Sequence, residues 1–325
     1  LLEVDKELEQ AVPNLTLKYD PQITPDSFAE QAILCSLEVA NPAICNDVLN
    51  RTTYDRYGIS SCYNILPIGG GSYTLTRVVL PRLAKLAGDK DDFLHNLLPE
   101  ALLCMADYMS ERIRFIVEKS GFFESNFLAT EGFVERDRFV AMFGLVGLAE
   151  ATNMFMPEGK KYGSDKEADA LAEQIMTIIS DFAAKYECPY CEIANHRLLL
   201  HAQVGIDTDY GITSGVRIPV GDEPESIYDH LRHSARFHKF IPTGCSDILP
   251  FDITAKRNPA AVLDIVKGAF SVGQKYIAFY ASDSDLVRIT GYLVKRSEME
   301  KWNAGKAVLQ NTTQFGAPAY ASGHL

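Results

Sequence analysis

Asp285-Leu286-Val287-Arg288-Ile289-Thr290-Gly291-Tyr292-Leu293-Val294 sets one glycine inside an apolar, β-branched run near the C-terminus. Glycine is a poor strand residue, so its place here needs a cause. One cause is a tight turn or bulge, since glycine reaches backbone angles closed to other residues. The other is chemical. Only glycine has an α-carbon bearing two hydrogens, and loss of one leaves a planar radical delocalised over both flanking amides. This second reading stands only if a partner cysteine exists upstream.

A candidate lies in Tyr57-Gly58-Ile59-Ser60-Ser61-Cys62-Tyr63-Asn64-Ile65-Leu66-Pro67-Ile68-Gly69-Gly70-Gly71-Ser72. Cys62 sits between small polar residues with a Gly-rich segment behind it, the pattern of a loop tip where backbone threads a tight space. A buried, inert cysteine is the competing reading. The triple glycine is no phosphate cradle, because no Lys-Ser/Thr pair follows and G-x-G-x-x-G is absent. Cys245, in Gly244-Cys245-Ser246, is the runner-up.

The 325 residues are 47% hydrophobic and 23% charged, which excludes a disordered or fibrous chain and allows one large or two medium domains. A net charge of −12 argues against a nucleic-acid polymer as partner. No 18-residue apolar run occurs and no signal peptide is read, so no membrane partner and a cytoplasmic location are expected. Seven cysteines without framework spacing agree with a reducing compartment. The chain opens at Leu1-Leu2, as expected of a processed or partial chain.

In chain order, a short helix ends at Pro13, Leu15 to Tyr19 alternates as a strand, and a turn through Pro25-Asp26 leads into a helix from Ser27 to Val39. Asp91 to Glu118 is mainly helical. Met142 to Ala151 is an apolar run with two glycines, attributed to strand-on-helix packing, ending at Glu150, a capping or pocket acid. Ser164 to Tyr186 is an amphipathic helix. Cys188-Pro189-Tyr190-Cys191 is the sole C-x-x-C; zinc needs four ligands, so no metal site is assigned, although His196 and His201 lie near in sequence. Leu198 to Val204 is a strand whose His201 and Gln203 suit a barrel mouth. Asp207 to Pro224 is a long polar loop of the kind that bears on function. A helix from Ala260 to Gly273 and a strand from Tyr276 to Tyr280 lead to the glycine stretch.

With Cys62 and Gly291 taken together, the chain resembles the glycyl radical enzymes, and most closely their YjjI-type branch. Arg288-Ile289-Thr290-Gly291-Tyr292 matches the radical motif, with Arg288 and Tyr292 as its neighbours. The likeness continues through Gly58-Ile59-Ser60-Ser61-Cys62-Tyr63-Asn64, Phe143 to Ala151, Leu200-His201-Ala202-Gln203, Gly221 to Pro224 and Ser246-Asp247-Ile248-Leu249. More distantly it is similar to anaerobic ribonucleotide reductase. That enzyme's four-cysteine zinc module is missing between Asp252 and Gly291, and so is a nucleotide-sensing N-terminal domain.

The resemblance implies an α/β fold, a ten-stranded barrel of two five-stranded halves, of which this chain holds only part. Residues 1–252 would form the barrel core with a finger loop around Cys62, and 253–325 the C-terminal glycyl radical domain. It implies a post-translational radical on Gly291, no other bound cofactor, a Cys62 thiyl, and a separate radical S-adenosylmethionine iron–sulfur activating enzyme. A homodimer is expected. Asn64, Glu150, His201, Gln203 and Asp247 are the expected substrate-binding residues, with Asp222 and Glu223 as further polar groups and Arg217, Arg232, Arg236 and Lys239 available for one anionic group. The expected substrate is a small hydroxylated molecule undergoing elimination or reduction. A nucleoside or nucleotide is the leading subclass, ahead of 2-oxo-acid cleavage, and anaerobic ribonucleotide or nucleoside reductase-like activity is an alternative. The alternative of another class is a radical-incompetent binding or scaffold protein keeping the fold.

Overall fold

The computed structural model describes residues 1–9, 13–60, 63–202, 211–289 and 292–308; Cys62, Gln203 and Gly291, and the side chain of Tyr292, lie outside the described set. The described strands are β1 (Thr16–Tyr19), β2 (Ala43–Asn46), β3 (Tyr57–Ser60), β4 (Asn64–Pro67), β5 (Gly71–Val79), β6 (Phe139–Val146), β7 (Leu199–Ala202), β8 (Asp247–Phe251), β9 (Tyr276–Ala281), β10 (Leu286–Ile289) and β11 (Tyr292–Lys295). They form a four-stranded sheet in the order β1-β2-β9-β8, a parallel sheet β5-β6-β7, and two antiparallel hairpins, β3-β4 and β10-β11.

Burial follows from composition. β6 is buried at every position, as a central parallel strand covered on both faces must be. Its outer face meets the helices Leu98–Glu118 and Lys166–Lys185 through Leu102, Met109, Ile175 and Ile179. β9 alternates: Ile277 and Phe279 pack outward against Ile33, Leu37, Val262 and Val266 of the helices Asp26–Val39 and Pro259–Ser271. On its other side Tyr276 and Ala278 join Ala43, Cys45 and Ile248 around Tyr63. The β3-β4 hairpin also sends Tyr57 and Ile65 into the large core behind β5-β6-β7. It is therefore a wedge between the two sheets, contributing to the core of each.

The two sheets hold four and three described strands, as expected of part of a barrel, and β9 is hydrogen-bonded between β2 and β8. Two expectations change. The glycine in β6 serves strand-on-strand packing, since a Cβ on Gly144 would lie 2.4 Å from the Thr76 carbonyl oxygen of β5. The stretch around Gly291, read as one run, holds two paired strands, with Ile289 opposite Tyr292. The short strands β2 and β8 carry no clear periodic signal.

Gly144→Ala is expected to destabilise the protein by about 1–3 kcal/mol through overpacking against β5. The shift in the denaturant midpoint measures it, and an unchanged midpoint would refute the packing account.

Candidate functional site

Tyr63 and β4 of the wedge are held against β7 and the segment entering β8. Ile65 N donates to Thr243 O at 2.8 Å, and Ala202 N to Gly244 O at 2.9 Å. Thr243 Oγ1 donates to Leu200 O at 2.7 Å, and Tyr63 OH to Ala202 O at 3.0 Å. The Tyr63 and His201 rings lie 6.1 Å apart, and Tyr63 meets Tyr276 edge-on at 6.0 Å. Gly244 permits this closeness: a Cβ there would sit 2.9 Å from Tyr63 O, 3.1 Å from Asn64 Cα and 3.1 Å from His201 Nδ1. Asn64, His201 and the segment entering β8 are thus brought to one place. Cys245, on that segment, is buried, and burial pushes its thiol up to about 12.

Asp247, fully enclosed at the start of β8, carries the strongest field of this region. Burial alone would raise its carboxyl, but His230, Arg217 and Ser234 outweigh it and hold the group well below the usual carboxylate range. His230 Nε2 lies 2.9 Å from Oδ2, Arg217 Nε 3.9 Å from Oδ1, and Ser234 Oγ donates to Oδ2. Burial works to lower the His230 value, yet Asp247 raises it overall. His230 and Ser234 were missed from sequence; their i, i+4 spacing on the helix Ile227–His238, one face toward Asp247, was the available signal.

Glu150 closes a third side. Its Oε1 accepts from Thr213 N at 2.8 Å and from Thr213 Oγ1, while Gly147 N donates to Thr213 O at 2.9 Å. The long loop is thereby tied across the C-terminal ends of β6 and β7, delivering Arg217 to Asp247. Glu150 Oε2 is buried and has no hydrogen-bond partner among the described residues.

Other candidates lie elsewhere. Asp222 pairs with Lys161 at 2.6 Å, and Glu223 accepts from Gly221 N at 2.5 Å within charge range of His230. Arg236 pairs with Asp169 and Glu173, Lys239 with Glu173, and Arg232 lies over the Tyr228 ring, so this trio does not join Arg217. His196 Nδ1 sits 2.8 Å from Pro189 O, away from His201, and no group of three or more metal-binding side chains occurs among the described residues. Arg288 is buried and clamps the β10-β11 hairpin, reaching Ala40 O at 2.9 Å and Asn14 Oδ1 at 3.0 Å, while Leu286 and Leu293 pack on Cys35 and Val39. Tyr280 of β9 packs against this cluster and against the one holding Tyr63, linking the two hairpins through a single side chain.

A family model described as glycyl radical enzyme YjjI-like matches residues 1–325. The chain belongs to the YjjI-like glycyl radical enzyme family. An uncharacterized protein of Haemophilus influenzae is 42% identical over 96% of the chain, and the uncharacterized protein YjjI of Escherichia coli is 39% identical over 98%. The chain spans 62% of the length of each of these relatives. The anaerobic ribonucleotide reductase of Thermotoga maritima, solved with dATP and CTP, superposes with a TM-score of 0.69 over 92% of this chain and 57% of that one, at 17% identity. The fold is accordingly part of a glycyl radical enzyme barrel. Enzymes of this family keep their radical on a glycine of the chain, made post-translationally, rather than on a bound cofactor, and typically need a radical S-adenosylmethionine activase.

Asp247→Ala should cost about 3–5 kcal/mol near neutral pH, because it strands the buried His230 charge. The His230 contribution is present below its ordinary 6.5 and lost as pH rises through its raised folded value; the Asp247 contribution is present above 3.8 and lost as pH falls toward its depressed one. The difference between wild type and variant, followed by denaturation across pH, should therefore peak between those limits and shrink on both sides. A pH-independent difference would remove the ion-pair account.

Proposed function

We propose that the protein is a glycyl radical enzyme in which Gly291 stores the radical and Cys62 uses it. In this reading the Cys62 S–H hydrogen passes to the Gly291 α-carbon, leaving a sulfur radical. That radical takes a hydrogen from a substrate C–H, and the product radical recovers it at the end of turnover. The observation that carries the reading is the placement of the two hairpins. Positions 61–62 and 290–291 fall in sequence within the connections of β3-β4 and β10-β11, and Tyr280 packs against the clusters that hold both.

The substrate is a small hydroxylated molecule undergoing loss of water or reduction, with a nucleoside or nucleotide as the leading subclass. Asn64, His201 and the Arg217–Asp247 pair supply hydrogen bonds and one compensated charge, and Glu150 Oε2 is a buried carboxylate oxygen available for a hydroxyl or its proton. Cleavage of a 2-oxo acid would call for a second cysteine beside Cys62, where the chain has Ser61 and Tyr63. Radical installation by a separate iron–sulfur activating enzyme requires the β10-β11 hairpin to leave its dock, breaking the Arg288 and Leu286/Leu293 contacts. A homodimeric, cytoplasmic enzyme completes the reading.

Anaerobic activation of the full-length protein should give a persistent doublet in electron spin resonance that Gly291→Ala abolishes; a doublet surviving that change sinks the assignment, and no doublet at all favours the scaffold alternative. Cys62→Ser should keep the doublet and lose turnover. Incubating activated protein with nucleosides, nucleotides, polyols and 2-oxo acids should reveal loss of one water or one oxygen from a hydroxylated compound, with Glu150→Gln slowing that step about 100-fold. Turnover of pyruvate with coenzyme A would instead overturn the substrate class.

A further inference from the structure

The thiols of Cys188 and Cys191 lie 3.2 Å apart, ahead of β7 in the chain, in a turn closed by Cys191 N donating to Cys188 O at 3.0 Å. Both are buried, while Glu187, Pro189, Glu192 and His196 of the same segment are exposed. His196 N donates to Cys191 O and Cys188 N to His196 O, each at 2.9 Å, so the flanking chain is pinned and the sulfurs are held facing each other. A disulfide has its sulfurs about 2.0 Å apart, so closure asks for a movement of little more than one ångström. Zinc would need further ligands, and no cluster of three or more metal-binding side chains occurs among the described residues.

We infer that Cys188 and Cys191 are a reversible dithiol–disulfide couple, a redox modification site separate from the radical chemistry. The hydrogen bond the two thiols share can run either way, so either sulfur can act first, and the course through Cys188 has its mirror through Cys191. With hydrogen peroxide as oxidant, the Cys188 thiolate attacks one peroxide oxygen, the O–O bond breaks, and Cys188 sulfenic acid and hydroxide form. The Cys191 thiol then attacks the Cys188 sulfur, releasing the sulfenic oxygen as water with the proton balance closed by hydroxide. Net, two thiols and one peroxide give one disulfide and two waters. A small dithiol returns the pair to thiols while its own sulfurs become a disulfide.

The test is to expose the unactivated protein to dilute peroxide, alkylate under denaturing conditions, and map tryptic peptides. The segment Tyr186 to Arg197, which holds both cysteines, should lose two hydrogens and resist alkylation, and dithiothreitol should restore it. Cys191→Ser and Cys188→Ser should each stop with one added oxygen on the remaining cysteine, trapped by dimedone, with no loss of two hydrogens from the segment. Full alkylation of both residues after exposure, linkage of either to another cysteine, or stoichiometric zinc in the native mass would overturn the proposal.

Discussion

The structure depends on one hairpin being held between two sheets. β3 and β4 have too few residues to be stable alone, and a two-stranded ribbon gains stability only from what covers it. Here both faces are covered: Tyr57 and Ile65 belong to the core behind β5-β6-β7, and Tyr63 to the core beside β2, β8 and β9. The hairpin base is fastened as well, with Lys18 Nζ donating to Tyr57 O at 2.5 Å and Tyr57 OH to Asp47 Oδ1 at 2.6 Å.

Around that wedge, charge is placed by a chain of dependencies. Asp247 is wholly enclosed and stays ionised only because His230, Arg217 and Ser234 offset its burial. Arg217 arrives on a loop that Glu150 and Gly147 tie to the ends of β6 and β7 through Thr213. His230 arrives on a helix whose neighbouring His233 and Arg236 are bound to Asp169. Asp247 is the group these elements share, and its removal would leave Arg217 and His230 without their common carboxylate.

The C-terminal hairpin is held differently. Leu286 and Leu293 pack with Cys35, Val39 and Ala40, the buried Arg288 reaches the Ala40 carbonyl and the amide oxygens of Asn14 and Asn41, and Lys295 lies 3.8 Å from Glu9. Tyr280 places the same strand, β9, under both this dock and the wedge, so the mechanical link between the hairpins is short.

The sequence by itself determined the family, because the radical motif and the cysteine segment are chemical words whose meaning does not depend on packing. It also determined the elements with strong periodicity or punctuation, such as the helices ending at Val39 and spanning Lys166–Lys185, since apolar spacing and Asp or Pro at a helix start act locally. It left β2 and β8 unread, four or five residues long and decided by their neighbours in the sheet. Only the tertiary structure decided that Gly144 answers to Thr76 across a strand pair, that β9 belongs to the same sheet as β2, and that Arg232, Arg236 and Lys239 stand apart from Arg217. It alone joined Asp247 to His230. The physical reason is that register, burial and charge pairing are properties of residues far apart in the chain, and nothing local encodes which distant partner will fill the space.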